Sequence, residues 1–395
     1  MNNAPLNIGT EKWLKEPALR EVMNALVADG GNAKIVGGAV RDALHNIFCK
    51  KKRKIGDIDI ASELTPQQNI ERLETAGIKV IPTGIDYGTV TAVIDKKHFE
   101  ITTLRRDVAT DGRHADVEFT DDWAEDAKRR DFTINAFYSD LDGTVYDPLG
   151  GFEDLKKAKI RFIGNAKERI KEDALRILRL FRFSSEFEVD GVDEEGLLAS
   201  VELKSMIRDL SGERIWQEFQ KIILSKSAIQ ALPILSAVGL LDEILPHHEN
   251  YGKFLKYVKR EKKLGLRNPL GRLSMLLPRD ENKIKEMSSH LRLSNNQRDQ
   301  LFRFADDYHK HDLRSKTLRR VIYQYGKDVV IHNLIRFGSL DEKTFLYIND
   351  YNVPVLPYTG KDLTAEGWKA GPEMGAELKR REQVWIDADF TVTHH

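Results

Sequence analysis

The chain has one cysteine, Cys49, in 395 residues. That excludes an intrachain disulfide and any zinc cage built from several thiolates, and it suits a reducing, cytoplasmic setting. Long apolar runs are scarce as well. The stretch around Ala231–Leu241 is interrupted by Pro233 and Ser236 and falls well short of the roughly 20 residues a membrane helix needs. The opening residues, MNNAPLNIGTEKW, lack a basic segment leading into an apolar one, so no secretion signal is expected. Net charge is also missing: 62 Lys and Arg balance 62 Asp and Glu, which on its own argues against a polyanionic partner.

The balance is not even along the chain. Residues 1–150 hold 20 basic against 25 acidic side chains, whereas residues 251–320 hold 19 against 8. An acidic front can hold cations and a basic rear can hold a polyanion, although charge runs are commonly no more than solvated faces. With 41% hydrophobic and 31% charged residues the composition supports packed cores, and the length suggests roughly two to four domains.

Short β-branched runs (AKIVGG, GDIDIA, TVTAVI, HFEITTL, TVYDPL) fill the first 150 residues, with a helix from Pro66 to about Ala76 opened by Thr65 as cap. After Lys167 apolar residues recur at three- and four-residue spacing. This predicts helices over Lys167–Ser184, Glu213–Leu224, Ala228–Val238 and Asn295–Asp307. Val353–Tyr358, with two prolines, reads as a linker into a last pair of short helices.

Within GDIDIA, Asp57 and Asp59 are two apart in an extended run, so both carboxylates face one side while Ile58 and Ile60 face the other. Adjacent carboxylates repel unless a divalent cation or a shared proton relieves them, and hard oxygen donors suit Mg²⁺. Glu100, on one face with His98 and Thr102, is the candidate third carboxylate. The alternative is an edge strand decorated with charges. Upstream, IVGGAVRDAL reads as a strand, a Gly37-Gly38 turn and a helix starting near Ala39. The turn would bring backbone N–H groups to a phosphate, with Arg41 in the first helical turn as a fork for its oxygens.

These motifs, followed in order by RRDFTINAFYSD (Arg129 to Asp140), YDPLGGFEDL (Tyr146 to Leu155) and EDALRILRLFRF (Glu172 to Phe183), resemble the class II tRNA nucleotidyltransferase / poly(A) polymerase family, and most closely its bacterial-type CCA-adding members. The resemblance runs from about Lys34 to Leu224, with a weaker echo in Thr359 to Leu378. It implies an α+β nucleotidyltransferase head of the DNA polymerase beta type with a mixed sheet, followed by an all-α neck, body and tail. The corresponding boundaries are a catalytic head over residues 1–152, a nucleotide-selecting neck over 153–225, a body over 226–305 and a tRNA-binding tail over 306–395.

The resemblance also implies roles for individual residues. Asp57 and Asp59 hold the metals and Glu100 is the third carboxylate, while Gly38 and Arg41 form the phosphate turn. Arg130 contacts the nucleotide, and Asp131 and Asn135 are placed to recognise the ribose 2′-hydroxyl; Asp131 could equally be a structural partner of Arg129 or Arg130. In EDALRILRLFRF, Asp173 and Arg176 share one helix face, as do Arg179 and Arg182. An aspartate accepting from an exocyclic amine beside an arginine donating to a ring acceptor would suit cytosine and adenine and reject guanine and uracil. Glu172, four residues before Arg176, is suited to orient it.

The implied reaction is template-free addition of C-C-A to tRNA from CTP and ATP, with Mg²⁺. The complete RDVATDGRHADVEFTDDW segment (Arg106 to Trp123) favours full CCA addition over CC-only addition. A-only addition, a poly(A) polymerase and an inactive RNA-binding protein are the alternatives. Three features stand outside this scheme: the basic run at 50–54, a solvated loop or an RNA-backbone contact; His311-Asp312, which resembles a phosphohydrolase metal dipeptide without its further ligands; and His247-His248 on a turn, expected at the surface.

Overall fold

Alternating β-branched runs and amphipathic segments fold into a sheet with helices, and the computed structural model describes residues 6–49, 52–110, 115–189, 192–249, 251–305 and 315–391. The chain divides into two compact units, Met1–Leu210 with Gln217–Ile244, and Ser211–Trp216 with Leu245–His395.

The first unit begins with α1 (Pro17–Val27), β1 (Ala33–Val36), α2 (Gly38–Phe48), β2 (Asp59–Ser62) and α3 (Pro66–Thr75). Thr65 accepts from the Gln68 N–H, and the Gln68 side chain takes the Thr65 N–H in return, so the expected start of α3 is closed by a reciprocal cap. Strands β3 (Lys79–Gly84), β4 (Thr89–Ile94), β5 (Lys97–Thr103), β6 (Arg105–Thr110) and β7 (Ala115–Phe119) follow, then α4 (Trp123–Lys128), β8 (Tyr138–Ser139) and β9 (Val145–Tyr146). Seven strands form one sheet in the order β3-β4-β5-β2-β1-β8-β9, while β6 and β7 make a separate hairpin whose tip, residues 111–114, lies outside the described residues.

Every neighbouring pair in the large sheet is antiparallel except β2 and β5, which run parallel and place Asp59 opposite Glu100. On β5, Phe99, Ile101 and Thr103 are buried, and Thr103 meets Asn69 of α3. Glu100 therefore lies on the opposite, open face, as the alternation predicts.

After the sheet come α5 (Gly151–Lys156), α6 (Ala166–Glu172), α7 (Leu175–Glu186), α8 (Glu194–Glu202) and α9 (Gly212–Leu224), followed by helices Ala228–Ala237 and Leu240–Ile244. The single helix expected over Lys167–Ser184 is two helices. Asp173 is extended (φ −156°, ψ 105°), and its carboxylate accepts from the Leu175 N–H, capping α7 rather than continuing α6. Asp173 and Arg176 thus flank a helix junction, which corrects the expectation that they share one helix face.

Among its described residues the second unit's only regular elements are helices, from Gly252–Lys263 to Pro372–Asp387. Its core holds Tyr257, Phe304 and His332, with His332 stacked on Phe304 at 4.0 Å and its Nδ1 3.1 Å from the Tyr257 hydroxyl. Residues 351–359 form no helix or strand, as expected of the linker. The last helix, at 16 residues, is longer than predicted: Pro372 starts it and Glu377 pairs with both Arg380 and Arg381 along it. His311-Asp312 lies outside the described residues, and His247 pairs with Glu286 at 2.7 Å on the surface.

Candidate active site

Asp59 opens β2, Asp57 sits in the extended chain just before it, and both are exposed, as is Glu100 on the neighbouring strand. None of the three makes an ion pair or a side-chain hydrogen bond among the described residues. Although the Asp59 side chain reaches solvent, surrounding protein and the charges of Glu100 and Asp57 push its carboxyl up to about 6, with Arg130 opposing them. Among the described residues no three His, Cys, Asp or Glu side chains are gathered into a ready-made metal cage; register aligns these carboxylates without drawing them together. The donor set nevertheless fits a hard divalent cation: mutually repelling oxygen donors on an open face, with no ion-pair partner among the described residues.

The glycine turn lies at the end of β1. Gly37 has φ +73° and ψ −121°, a conformation for glycine, and its N–H donates to the Phe137 carbonyl at 3.0 Å. A Cβ on Gly37 would stand 3.7 Å from Nη1 of Arg130, so the turn faces the same guanidinium that acts on Asp59. Gly38 is the first residue of α2, one residue before the predicted start. Arg41 departs from expectation: it is buried, its fork closes on Asp42 (3.0 and 3.1 Å), and its Nη1 donates to Asn135 Oδ1 at 2.5 Å. Most donors of this guanidinium are thus taken up by Asp42 and Asn135.

In RRDFTINA, Arg129 and Arg130 both turn to Asp126 of α4, which no motif in the sequence marks out. Asp126 is almost fully buried, accepting from Arg129 at 2.8 Å, Arg130 at 3.0 Å and the Tyr138 hydroxyl at 2.7 Å. Burial alone would raise its pKa, but Arg130, Arg129 and Tyr138 more than offset it, and the carboxyl is held at about 2. Asp131 therefore pairs with neither arginine beside it. One oxygen accepts from Asn135 Nδ2 (2.9 Å) and the Phe132 N–H (2.9 Å), the other from Arg179 Nε (2.6 Å). Asp131 and Asn135, the two residues expected at the ribose, are therefore hydrogen-bonded to each other.

The helix junction holds this segment from behind. Arg169 of α6 donates to the backbone carbonyls of Arg129 and Arg130, and Arg176 of α7 donates to the Arg169 carbonyl (2.8 Å) and to Glu172 (2.5 Å). Glu172 thus accepts from Arg176, as their four-residue spacing suggests, and from Arg169 as well. Arg179 keeps its charge firmly: burial disfavours it, but Asp131, and beyond it Glu218 and Asp173, favour it more. Arg182 was expected at the nucleotide. Instead it donates to both oxygens of Glu218 (3.0 and 2.9 Å) and lies over Phe183 at 4.1 Å, which makes it a support for α7. Gly151, in the PLGGF turn, lets α5 approach the Thr133 carbonyl so closely that a Cβ would stand 2.3 Å from it.

Residues 33–161 match the family model described as the poly A polymerase head domain, which makes this part of the first unit a nucleotidyltransferase head. Residues 192–251 match one described as a probable RNA and SrmB-binding site of polymerase A. The chain is 34% identical over 391 residues to the mouse (Mus musculus) mitochondrial CCA tRNA nucleotidyltransferase 1, covering 94% of this chain and 87% of that relative. It is 33% identical over 379 residues to a CCA-adding enzyme of Lactococcus lactis, covering 92% and 90%. The crystal structure of the Bacillus stearothermophilus CCA-adding enzyme in complex with CTP superposes with a TM-score of 0.75 at 27% identity, covering 95% of this chain and 94% of that one. This chain belongs to the CCA tRNA nucleotidyltransferase family.

Proposed function

We propose that the protein builds C-C-A on the 3′ end of tRNA from CTP and ATP without a nucleic-acid template, releasing pyrophosphate. The observation that carries the mechanism is the Asp59–Glu100 rung: unpaired carboxylates on an open sheet face, next to an arginine that also borders the glycine turn. Asp57 and Asp59 would hold Mg²⁺, with Glu100 beside them. When bound, the ion lowers the charge cost of attack by the primer 3′-hydroxyl on the α-phosphate and of pyrophosphate departure. The Gly37–Gly38 backbone and the start of α2 receive phosphate oxygens, Arg130 adds positive charge next to them, and Asp131 with Asn135 holds the ribose.

Asp173 and Arg176 select the base from the α6–α7 junction, Asp173 accepting from an exocyclic amine and Arg176 donating to the ring. Arg41, Arg179 and Arg182 act through the groups they hold. The division into head (1–152), neck (153–225), body (226–305) and tail (306–395) belongs to the same proposal, with tRNA held by the basic rear. No described helix is long and apolar enough to cross a membrane. A cytoplasmic site of action is proposed on the single-cysteine composition, and fractionation tests it, since the mouse relative is named mitochondrial.

The test is incubation of purified protein and Mg²⁺ with tRNA lacking its CCA, supplying each nucleotide singly and in pairs. CTP with ATP should extend the primer by three residues and stop. A long A-tail would indicate a poly(A) polymerase, two added residues a CC-adding enzyme, and no extension would end the proposal.

A further inference from the structure

The basic run at 50–54 divides at Arg53. Lys52 and Lys54 are exposed, whereas the Arg53 side chain is only 20% exposed and points into the protein. Its backbone is pinned first: the Arg53 N–H donates to Asn46 Oδ1 (2.6 Å), and Asn46 Nδ2 donates to the Arg53 carbonyl (2.9 Å). The guanidinium then bridges two helices. Nε donates to Asp42 Oδ1 on α2 (2.8 Å), Nη1 donates to the backbone carbonyl of Glu186 at the end of α7 (3.0 Å), and the group lies over the Phe187 ring at 4.1 Å. A helix-terminal carbonyl has no partner within its own helix and sits at the negative end of the dipole, so a cation is well placed there.

Arg53 also closes a circuit. Asp42 holds Arg41, Arg41 holds Asn135, Asn135 holds Asp131 and Asp131 holds Arg179. Along α7, Arg179 lies 4.0 Å from Glu218, Glu218 holds Arg182, Arg182 lies 3.4 Å from Glu186, and Glu186 returns to Arg53 at 3.6 Å. Every link lies within the first unit. We infer that Arg53 is a positioning residue for nucleotidyl transfer: it clamps the glycine-turn helix to the base-selecting helix and so sets the Asp131–Asn135 pair against Asp173 and Arg176. This inference rests on the nucleotidyltransferase function proposed above and excludes an RNA-backbone contact for this side chain.

Arg53→Ala, Arg53→Lys and Lys54→Ala decide it. With CTP and tRNA lacking CCA, Arg53→Ala should lower kcat by about 10-fold or more, because small misplacements in a reacting geometry are expensive. It should also raise UTP incorporation relative to CTP, while KM for tRNA and its salt dependence stay within about twofold of wild type. Arg53→Lys restores a charge for Asp42 but not the simultaneous bond to the Glu186 carbonyl, so it should rescue only partly. Lys54→Ala should behave as wild type. Wild-type kcat and nucleotide preference in Arg53→Ala would overturn the inference, as would a higher KM for tRNA with a salt slope reduced by about one, the signature of a lost phosphate contact. Hydrogen exchange separates this from the underlying function: faster exchange at residues 131–137 and 183–189 in Arg53→Ala supports the clamp even if the wild-type protein extends no tRNA, and unchanged exchange there overturns it.

Discussion

Replacing Asp126 by Asn tests whether the arginine pair is held as the geometry requires. Asp126 is almost fully buried and accepts from Arg129, Arg130 and Tyr138, so little solvent screening reduces its contribution. Its pKa falls from 3.8 to about 2. A shift of that size corresponds to stability on the order of 2 kcal/mol at neutral pH. Because the folded value is the lower one, the contribution is complete well above pH 3.8 and fades as the pH falls toward 2. Asn keeps an acceptor for Tyr138 but leaves two guanidinium groups without a counter-charge, so Asp126→Asn should lose about 2–4 kcal/mol at pH 7. At pH 3 about half of the ionisation-linked part should remain. A two-unit chain need not unfold in one step, so the readout is local: urea-dependent hydrogen exchange of residues 123–139, wild type and variant compared at each pH. A gap below about 0.5 kcal/mol, or one equal at pH 7 and pH 3, would refute the account of the Asp126 site.

Asp57→Ala and Asp59→Ala should abolish incorporation, a loss of several kcal/mol in the transition state, while leaving tRNA binding within about twofold; filter binding beside incorporation checks this, and wild-type-like incorporation removes the metal assignment. Asp173→Ala should weaken the start of α7 by about 1 kcal/mol through the lost cap and, separately, raise the UTP-to-CTP ratio of kcat/KM. Retention of the wild-type order among all four nucleotides would leave the cap as its whole role. His332 is buried neutral and its pKa is depressed from 6.5 to about 3, chiefly by burial and secondly by Arg336. Its stabilising contribution is therefore full above about pH 6.5 and is lost on descent toward pH 3, so His332→Gln should flatten the acid slope of the second unit's stability, measured by hydrogen exchange across residues 327–337.

Those features that depend on short-range periodicity were legible in the sequence. Alternation along β5 placed Glu100 on the open face, and the Gly37-Gly38 pair located the turn within one residue of the start of α2. The partners of the arginines were harder to read. Asp42, Asp126 and Glu218 look like ordinary charges on amphipathic helices, and only tertiary packing shows that they are buried. One local signal was available: Asp126 stands three and four residues before Arg129 and Arg130, the spacing of helical ion pairs. The α6–α7 break is hidden because apolar periodicity runs through it, while Asp173, a favoured capping residue, stops the helix by accepting from the Leu175 N–H. Arg53 stands among lysines in the sequence, and charge alone does not distinguish an inward guanidinium from an outward ammonium.

The parallel pairing of β2 with β5 has a consequence for how this chain can change length. Asp59 and Glu100 share a rung although α3 and the β3–β4 hairpin intervene between them. Their spacing depends on register within the sheet and not on the length of that excursion, so residues added at the turns of the 63–96 segment extend a surface loop at a closure cost that grows only slowly with length. A single residue inserted inside either strand would instead turn one carboxylate to the covered face, against α3, and leave the other behind. Length variation is therefore open in the loops of the excursion and closed within the two short strands.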